Sequence, residues 1–327
     1  TRGGRVESQH RGTVAITDAA GENLLCLGDV AEPVYPRSAI KALQCLPVLE
    51  SGAADHFGFA ASEIALCCAS HSGTAMHADL AREILRHAGL DEAALACGAH
   101  LPVDEGEARQ MLRAGRQPNR FHNNCSGKHA GMLATAQYLG EPTEGYHRPD
   151  HPVQHRIEGV LQSLTGARLA KGDCAIDGCS APNWAIPIGG LSYAFAQFIS
   201  GTGAMAEHNE AGRRIAENCW AKPEFVAGEG RPDTRLLRRF ANEVFIKTGA
   251  EGVYCGAIRS SGIGFALKIE DGAGRASEMA MRAIVSALVD GAADVAEERV
   301  ITNWDGLEVG TLRVAEGFRK VLAATRA

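Results

Sequence analysis

The sequence predicts a mixed α/β (α+β) fold in which one sheet is assembled from both ends of the chain and a helical region is inserted between its halves. Strand-like apolar runs lie at 12–27 and again at 245–269, and the long stretch between them carries helical spacing instead. No repeat, low-complexity tract or linker interrupts the 327 residues, so they read as a single domain. Its sheet part falls at about 1–35 and 240–327, its helical part at about 36–239.

Taken in order, Gly12 to Thr17 and Leu24 to Leu27 flank turn residues and read as a β-hairpin. Pro36 suits the first turn of a helix, where a missing N–H costs nothing, and Ser38 to Leu49 continues it. Helical runs follow at Ala53 to Phe59, His77 to Ala88, Glu105 to Ala114, Gly131 to Leu139 and Val153 to Leu164. Ser62 to Leu66 is short enough to be helix or strand. Gly172 to Pro187 is rich in turn formers and reads as irregular, and helices resume at Leu191 to Ser200, Ala204 to Ala221 and Leu236 to Phe240. Strands are expected at Phe245 to Gly249, Gly252 to Ile258 and Gly264 to Ile269, a turn at Glu270-Asp271-Gly272, and a terminal helix at Ser277 to Leu288.

Composition excludes several function classes. A hydrophobic fraction of 45% and a charged fraction of 22% are those of a globular chain. The net charge of -6, without a basic run, argues against a nucleic-acid partner. No apolar stretch approaches the roughly 18 residues that cross a membrane, and no apolar region follows Thr1 to Arg5 as in a signal peptide. Ten cysteines in a chain of this size do not make a disulfide scaffold, and a reducing, cytoplasmic compartment is expected. Cys26, Cys45, Cys67, Cys68, Cys97 and Cys255 sit in apolar runs as small core residues, and His147, His151 and His155 read as surface residues.

The chemistry begins at Ser38-x-x-Lys41, three residues apart on one expected helical face. A serine hydroxyl needs a base, and a lysine serves as one only when burial or nearby positive charge lowers its pKa from about 10.4. Alone the pattern is more often that of an exposed helix face. It gains weight from Ser70-x-Ser72-Gly73-Thr74 and from Lys247-Thr248-Gly249, which follow in order. An S-x-x-K, a middle serine motif and a K-T-G form the set found in serine β-lactamases and penicillin-binding proteins, although the middle motif here is not S-D-N. Lys247 could otherwise be a surface lysine at a strand end.

A second constellation is His122-Asn123-Asn124-Cys125-Ser126-Gly127-Lys128-His129 together with Asp177-Gly178-Cys179-Ser180. Cys125, Cys179 and either His129 or His122 would make three conventional zinc ligands, whereas Lys128 would first have to lose a proton. The paired C-x-x-C spacing of structural zinc sites is missing, so two buried thiols lining a polar pocket are an equal alternative. Arg37, Asp177 and His129 are candidates for substrate contact, Asp177 as the binder of an ammonium group.

Arg5-Val6-Glu7-Ser8-x-His10-Arg11-Gly12, Pro36-Arg37-Ser38-x-x-Lys41, the run His122 to Met132, Asp177-Gly178-Cys179-Ser180-Ala181-Pro182 and Phe245 to Val253 together resemble the Rhizobium etli type (class 3) asparaginase family. The likeness covers nearly the whole chain. It implies the fold of serine β-lactamases and serine-dependent glutaminases, a homodimer, and hydrolysis of L-asparagine to L-aspartate and ammonia through an acyl-enzyme. It implies Ser38 and Lys41 as the nucleophile dyad, Ser70 and Lys247 as a second pair, with Lys268 competing for the second lysine. It also implies zinc on Cys125, Lys128 and Cys179, so that the lysine becomes a ligand. Alternatives are a glutaminase of the same fold and a zinc-dependent amide hydrolase.

Overall fold

The computed structural model describes residues 1–201 and 206–325, arranged as a mixed α/β structure. Its main sheet has five antiparallel strands in the order β2-β1-β9-β8-β7, made of β1 (Gly12–Thr17), β2 (Asn23–Leu27), β7 (Val244–Thr248), β8 (Val253–Ile258) and β9 (Ile263–Ile269). The hinge between the two ends of the chain is the β1–β9 ladder, in which Val14 faces Leu267 and Ile16 faces Phe265. Two smaller pairings join strands of two or three residues: β3 (Pro33–Val34) with β6 (Ile186–Pro187), and β4 (Cys174–Ile176) with β5 (Pro182–Trp184).

Between the sheet halves run α1 (Lys41–Glu50), α2 (Ala53–His56), α3 (Ala61–Cys67), α4 (Ala75–His87), α5 (Glu105–Arg113), α6 (Ser126–Tyr138), α7 (Pro152–Thr165), α8 (Ile188–Ser200), α9 (Ala206–Ala221), α10 (Pro223–Val226) and α11 (Pro232–Arg239). The first two residues expected in the helix Ala204 to Ala221 lie outside the described residues. Every residue of β8 is buried, because α8 and α12 (Gly274–Leu288) both pack against it. Gly264 permits the close approach of α8: a Cβ there would stand 2.0 Å from Ser192 O and 2.3 Å from Ala196 N.

Several expectations are corrected. Ser38 is not on the same α-helix as Lys41. Residues Arg37–Ile40 form a 3-10 turn in which Lys41 N–H bonds Ser38 O, and α1 begins at Lys41 because Ile40, at φ -94° and ψ 11°, departs from α-helical geometry. Lys128 and His129 lie in the first turn of α6, which begins at Ser126 rather than Gly131. The stretch 172–187 contains β4, β5 and β6. The helix α12 is not terminal: a hairpin, β10 (Arg299–Thr302) and β11 (Glu308–Leu312), and α13 (Glu316–Thr325) follow it. Cys26 is exposed, since β2 is an edge strand and its two-residue alternation buries Leu25 and Leu27 partly instead. His151 is buried, its Nδ1 accepting Val153 N–H at the N-cap of α7. Among the described residues no helix is long and apolar enough to cross a membrane.

Candidate active site

The turn Arg37–Ile40 lies against the end of β7, and the fit depends on Gly249. A Cβ at Gly249 would meet Pro36 O at 2.6 Å and Ala39 N at 3.2 Å, so the glycine of Lys247-Thr248-Gly249 is what lets the strand end touch the serine turn. In that turn Arg37 N–H donates to Asn183 Oδ1 at 3.2 Å, and Ala39 N–H to Pro36 O at 3.1 Å. Ser38 N–H and Ser38 Oγ make no hydrogen bond among the described residues, and Ser38 is only half-buried.

Lys41 is buried, and its side chain makes no bond to Ser38, although its N–H donates to Ser38 O. Its Nζ donates to Ala69 O at 2.5 Å, Ser70 Oγ at 3.0 Å and Cys125 Sγ at 3.1 Å. Ser70, 8% exposed, lies just beyond α3 and is reached from the other side by Lys247 Nζ at 3.1 Å. Lys247 is fully buried on β7 and also donates to Thr248 O at 2.8 Å. Burial pushes its pKa down from 10.5 to about 7, with repulsion from Lys41 helping and attraction by Asp233 opposing. Lys268 donates to Ile269 O, so of the two competing lysines it is Lys247 that meets Ser70.

The second constellation adjoins the first through Cys125. Lys128 Nζ donates to Cys179 Sγ at 3.1 Å, and Asn124 Oδ1 is 3.1 Å from Cys125 Sγ. The thiols titrate as a pair. A hydrogen bond from Cys125, reinforced by Lys128, lowers the Cys179 pKa against the effect of burial, while Cys125 is pushed well up and keeps its proton. Burial disfavours the Lys128 ammonium, yet the adjacent sulfurs prevail and raise its pKa. His129 is fully buried, and burial lowers its pKa. Its Nδ1 is 2.6 Å from the Tyr146 hydroxyl, and its Nε2 is buried without a partner. His122 turns away, its Nδ1 2.6 Å from Asn119 Oδ1.

Two sulfurs and one amine thus converge in a donor set that suits zinc, provided Lys128 gives up its proton. Among the described residues no three His, Cys, Asp or Glu side chains are grouped to hold a metal.

The third feature is the ion pair of Arg37 Nε with Asp177 Oδ2 at 2.5 Å, largely shielded from solvent. Asp177 Oδ1 also takes Cys179 N–H at 3.2 Å, which ties the serine turn to the thiol loop. Residues left of the fold's chemistry by sequence reasoning are Asn183, which holds the Arg37 amide, and Asp233, which accepts Thr248 N–H at 3.1 Å. Neither lies in a recognisable spacing with the serines.

A family described as L-asparaginase II matches residues 1–314. The chain belongs to the L-asparaginase II family. Membership implies L-asparaginase activity, an amidohydrolase reaction, with asparagine as substrate. No curated protein matches the chain.

Proposed function

We propose that the chain hydrolyses L-asparagine to L-aspartate and ammonia on a serine β-lactamase-like scaffold, through an acyl-enzyme on Ser38. The observation that carries this reading is Ser70 Oγ held between two buried amines, Lys41 Nζ at 3.0 Å and Lys247 Nζ at 3.1 Å. Such a chain can move a proton. Lys41 first passes a proton to Ser70, which hands its own to Lys247, whose pKa of about 7 lets it accept at neutral pH; the freed Lys41 amine then swings to take the Ser38 proton. Ser38 Oγ bonds to the side-chain amide carbon, the C–N bond breaks, and the relayed proton leaves with ammonia. Water then cleaves the ester and restores Ser38.

Ser38 is the better nucleophile on access, because Ser70 is 8% exposed and its oxygen is already engaged by both lysines. The unpaired Ser38 N–H is a ready oxyanion donor, and one such donor is typically worth ~10²–10³ in rate. Arg37 and Asp177 would fix the substrate's carboxylate and ammonium once their mutual bond opens, and His129, buried beside Cys179, would be a further contact. Cys125, Lys128 and Cys179 would hold zinc, which would supply a positive charge for orienting substrate. The family resemblance supports a homodimer of single-domain chains, and ten free thiols suit a reducing compartment.

Ammonia release from L-asparagine and L-glutamine, measured side by side, tests the substrate. The reading expects strong turnover of asparagine, little of glutamine, and none in a folded Ser38→Ala variant. The two-lysine contact favours one second reading, in which Ser70 itself is acylated. Intact-mass analysis of quenched enzyme, with the labelled peptide sequenced, separates the two serines.

A further inference from the structure

Asp233 is 2% exposed in the first turn of α11, and it touches neither serine. Its Oδ2 accepts Thr248 N–H at 3.1 Å, and its Oδ1 accepts the Tyr254 hydroxyl. Thr248 and Tyr254 are cross-strand partners on β7 and β8, so one carboxylate grips both strands at the same rung. From the other side Lys247 Nζ donates to Thr248 O at 2.8 Å. The peptide units around Thr248 are therefore held by the carboxylate through the N–H and by the ammonium through the C=O. Among the described residues the only other buried carboxylate is Glu63, whose side chain accepts Ala60 N–H at the start of α3.

We propose that Asp233 is the positioning residue for Lys247, fixing the rung from which the lysine reaches Ser70 and supplying the negative charge that balances it. This rests on the Ser-Lys reading above. The charge balance has other members. Lys41 and Arg231 repel the Lys247 ammonium, and Cys125 attracts it. Cys68 and Cys219 from the α3 and α9 side, and Cys255 from β8, also lie within its field. Asp233 is the largest attractive charge among those acting on Lys247.

The test is the acid limb of the kcat/KM profile in two variants whose effects have opposite sign. Asp233→Asn keeps a hydrogen-bonding oxygen but removes the charge, so the limb should move down by about one pH unit. Tyr254→Phe frees the carboxylate from its phenol, so the limb should move up. Should Asp233→Asn fail to fold, Tyr254→Phe alone still decides. A residue that only braces the strands would lower activity in both variants without moving the limb, and that result overturns the proposal. The ¹³Cε-lysine titration of Lys247 by NMR is read in the same proteins without reference to turnover. An inactive Lys247→Met supports the Ser-Lys reading and an active one removes it, whereas an unmoved lysine titration removes Asp233.

Discussion

Replacing Lys247 with methionine should abolish turnover and stabilise the fold at neutral pH. The buried amine has a pKa of about 7 against 10.5 when free, which means the folded state holds the proton less tightly than the unfolded one. For a lysine whose pKa is lowered on folding, the cost to stability is full below pH 7, declines as the unfolded chain also loses its proton, and is gone above about 10.5. At about 1.4 kcal/mol per pH unit, the interval sets a ceiling of about 5 kcal/mol for that cost, and about 4 at pH 7. Methionine fills a similar volume but leaves Ser70 Oγ and Thr248 O without the amine, at about 1–2 kcal/mol each. The net gain at pH 7 is thus on the order of 1 kcal/mol. Urea denaturation of wild type and variant at pH 6, 8 and 10 checks it: the variant's advantage should shrink and then reverse with rising pH. An advantage that stays constant or grows would refute a buried lysine titrating near neutrality.

Gly249→Ala should cost about 1–3 kcal/mol in thermal unfolding and depress kcat more than KM, because the new Cβ would meet Pro36 O at 2.6 Å and displace the turn carrying Ser38. Added zinc should raise the melting temperature of wild-type protein, with about one ion bound by elemental analysis, and Cys179→Ser should remove most of that rise. His151→Ala, which deletes the N-cap of α7, should lower stability by about 1 kcal/mol while leaving ammonia release unchanged.

The pairing of the two chain ends in one sheet was legible because short apolar runs bounded by turn residues are local signals, and β1, β7, β8 and β9 all carry them. The geometry of the site was not. Ser38 and Lys41 have helical spacing in sequence, but a 3-10 turn ending at Ile40 lies between Ser38 and α1, and its backbone angles leave no mark on a residue pattern. Likewise Ser70 and Lys247 stand 177 residues apart, so a motif could nominate each without saying that they meet. Asp233 is further still from legibility, since its partners are a backbone N–H and a cross-strand tyrosine, and neither has a sequence signature. The β10–β11 hairpin escaped notice for a different reason: its strands are short and none of their residues is buried, so alternation is weak there.

Lys41 is the point where the two halves of the site become one. Its ammonium donates at once to Ser70 Oγ and to Cys125 Sγ, and it has only three protons to give, the third being committed to Ala69 O. In the proposed relay it must first give one of these protons to Ser70, and its freed amine must then leave its partners to reach Ser38. Cys125, whose pKa is pushed well up and whose S–H donates to Asn124 Oδ1 at 3.1 Å, is the partner that loses least when Lys41 departs, since its sulfur carries the smaller charge of the thiol pair. Ser70, by contrast, must stay within reach of Lys41 for a proton to cross to Lys247. The thiol pair therefore sets how freely Lys41 moves, and a change at Cys125 acts on the serines through this one amine, with no contact of its own to either hydroxyl.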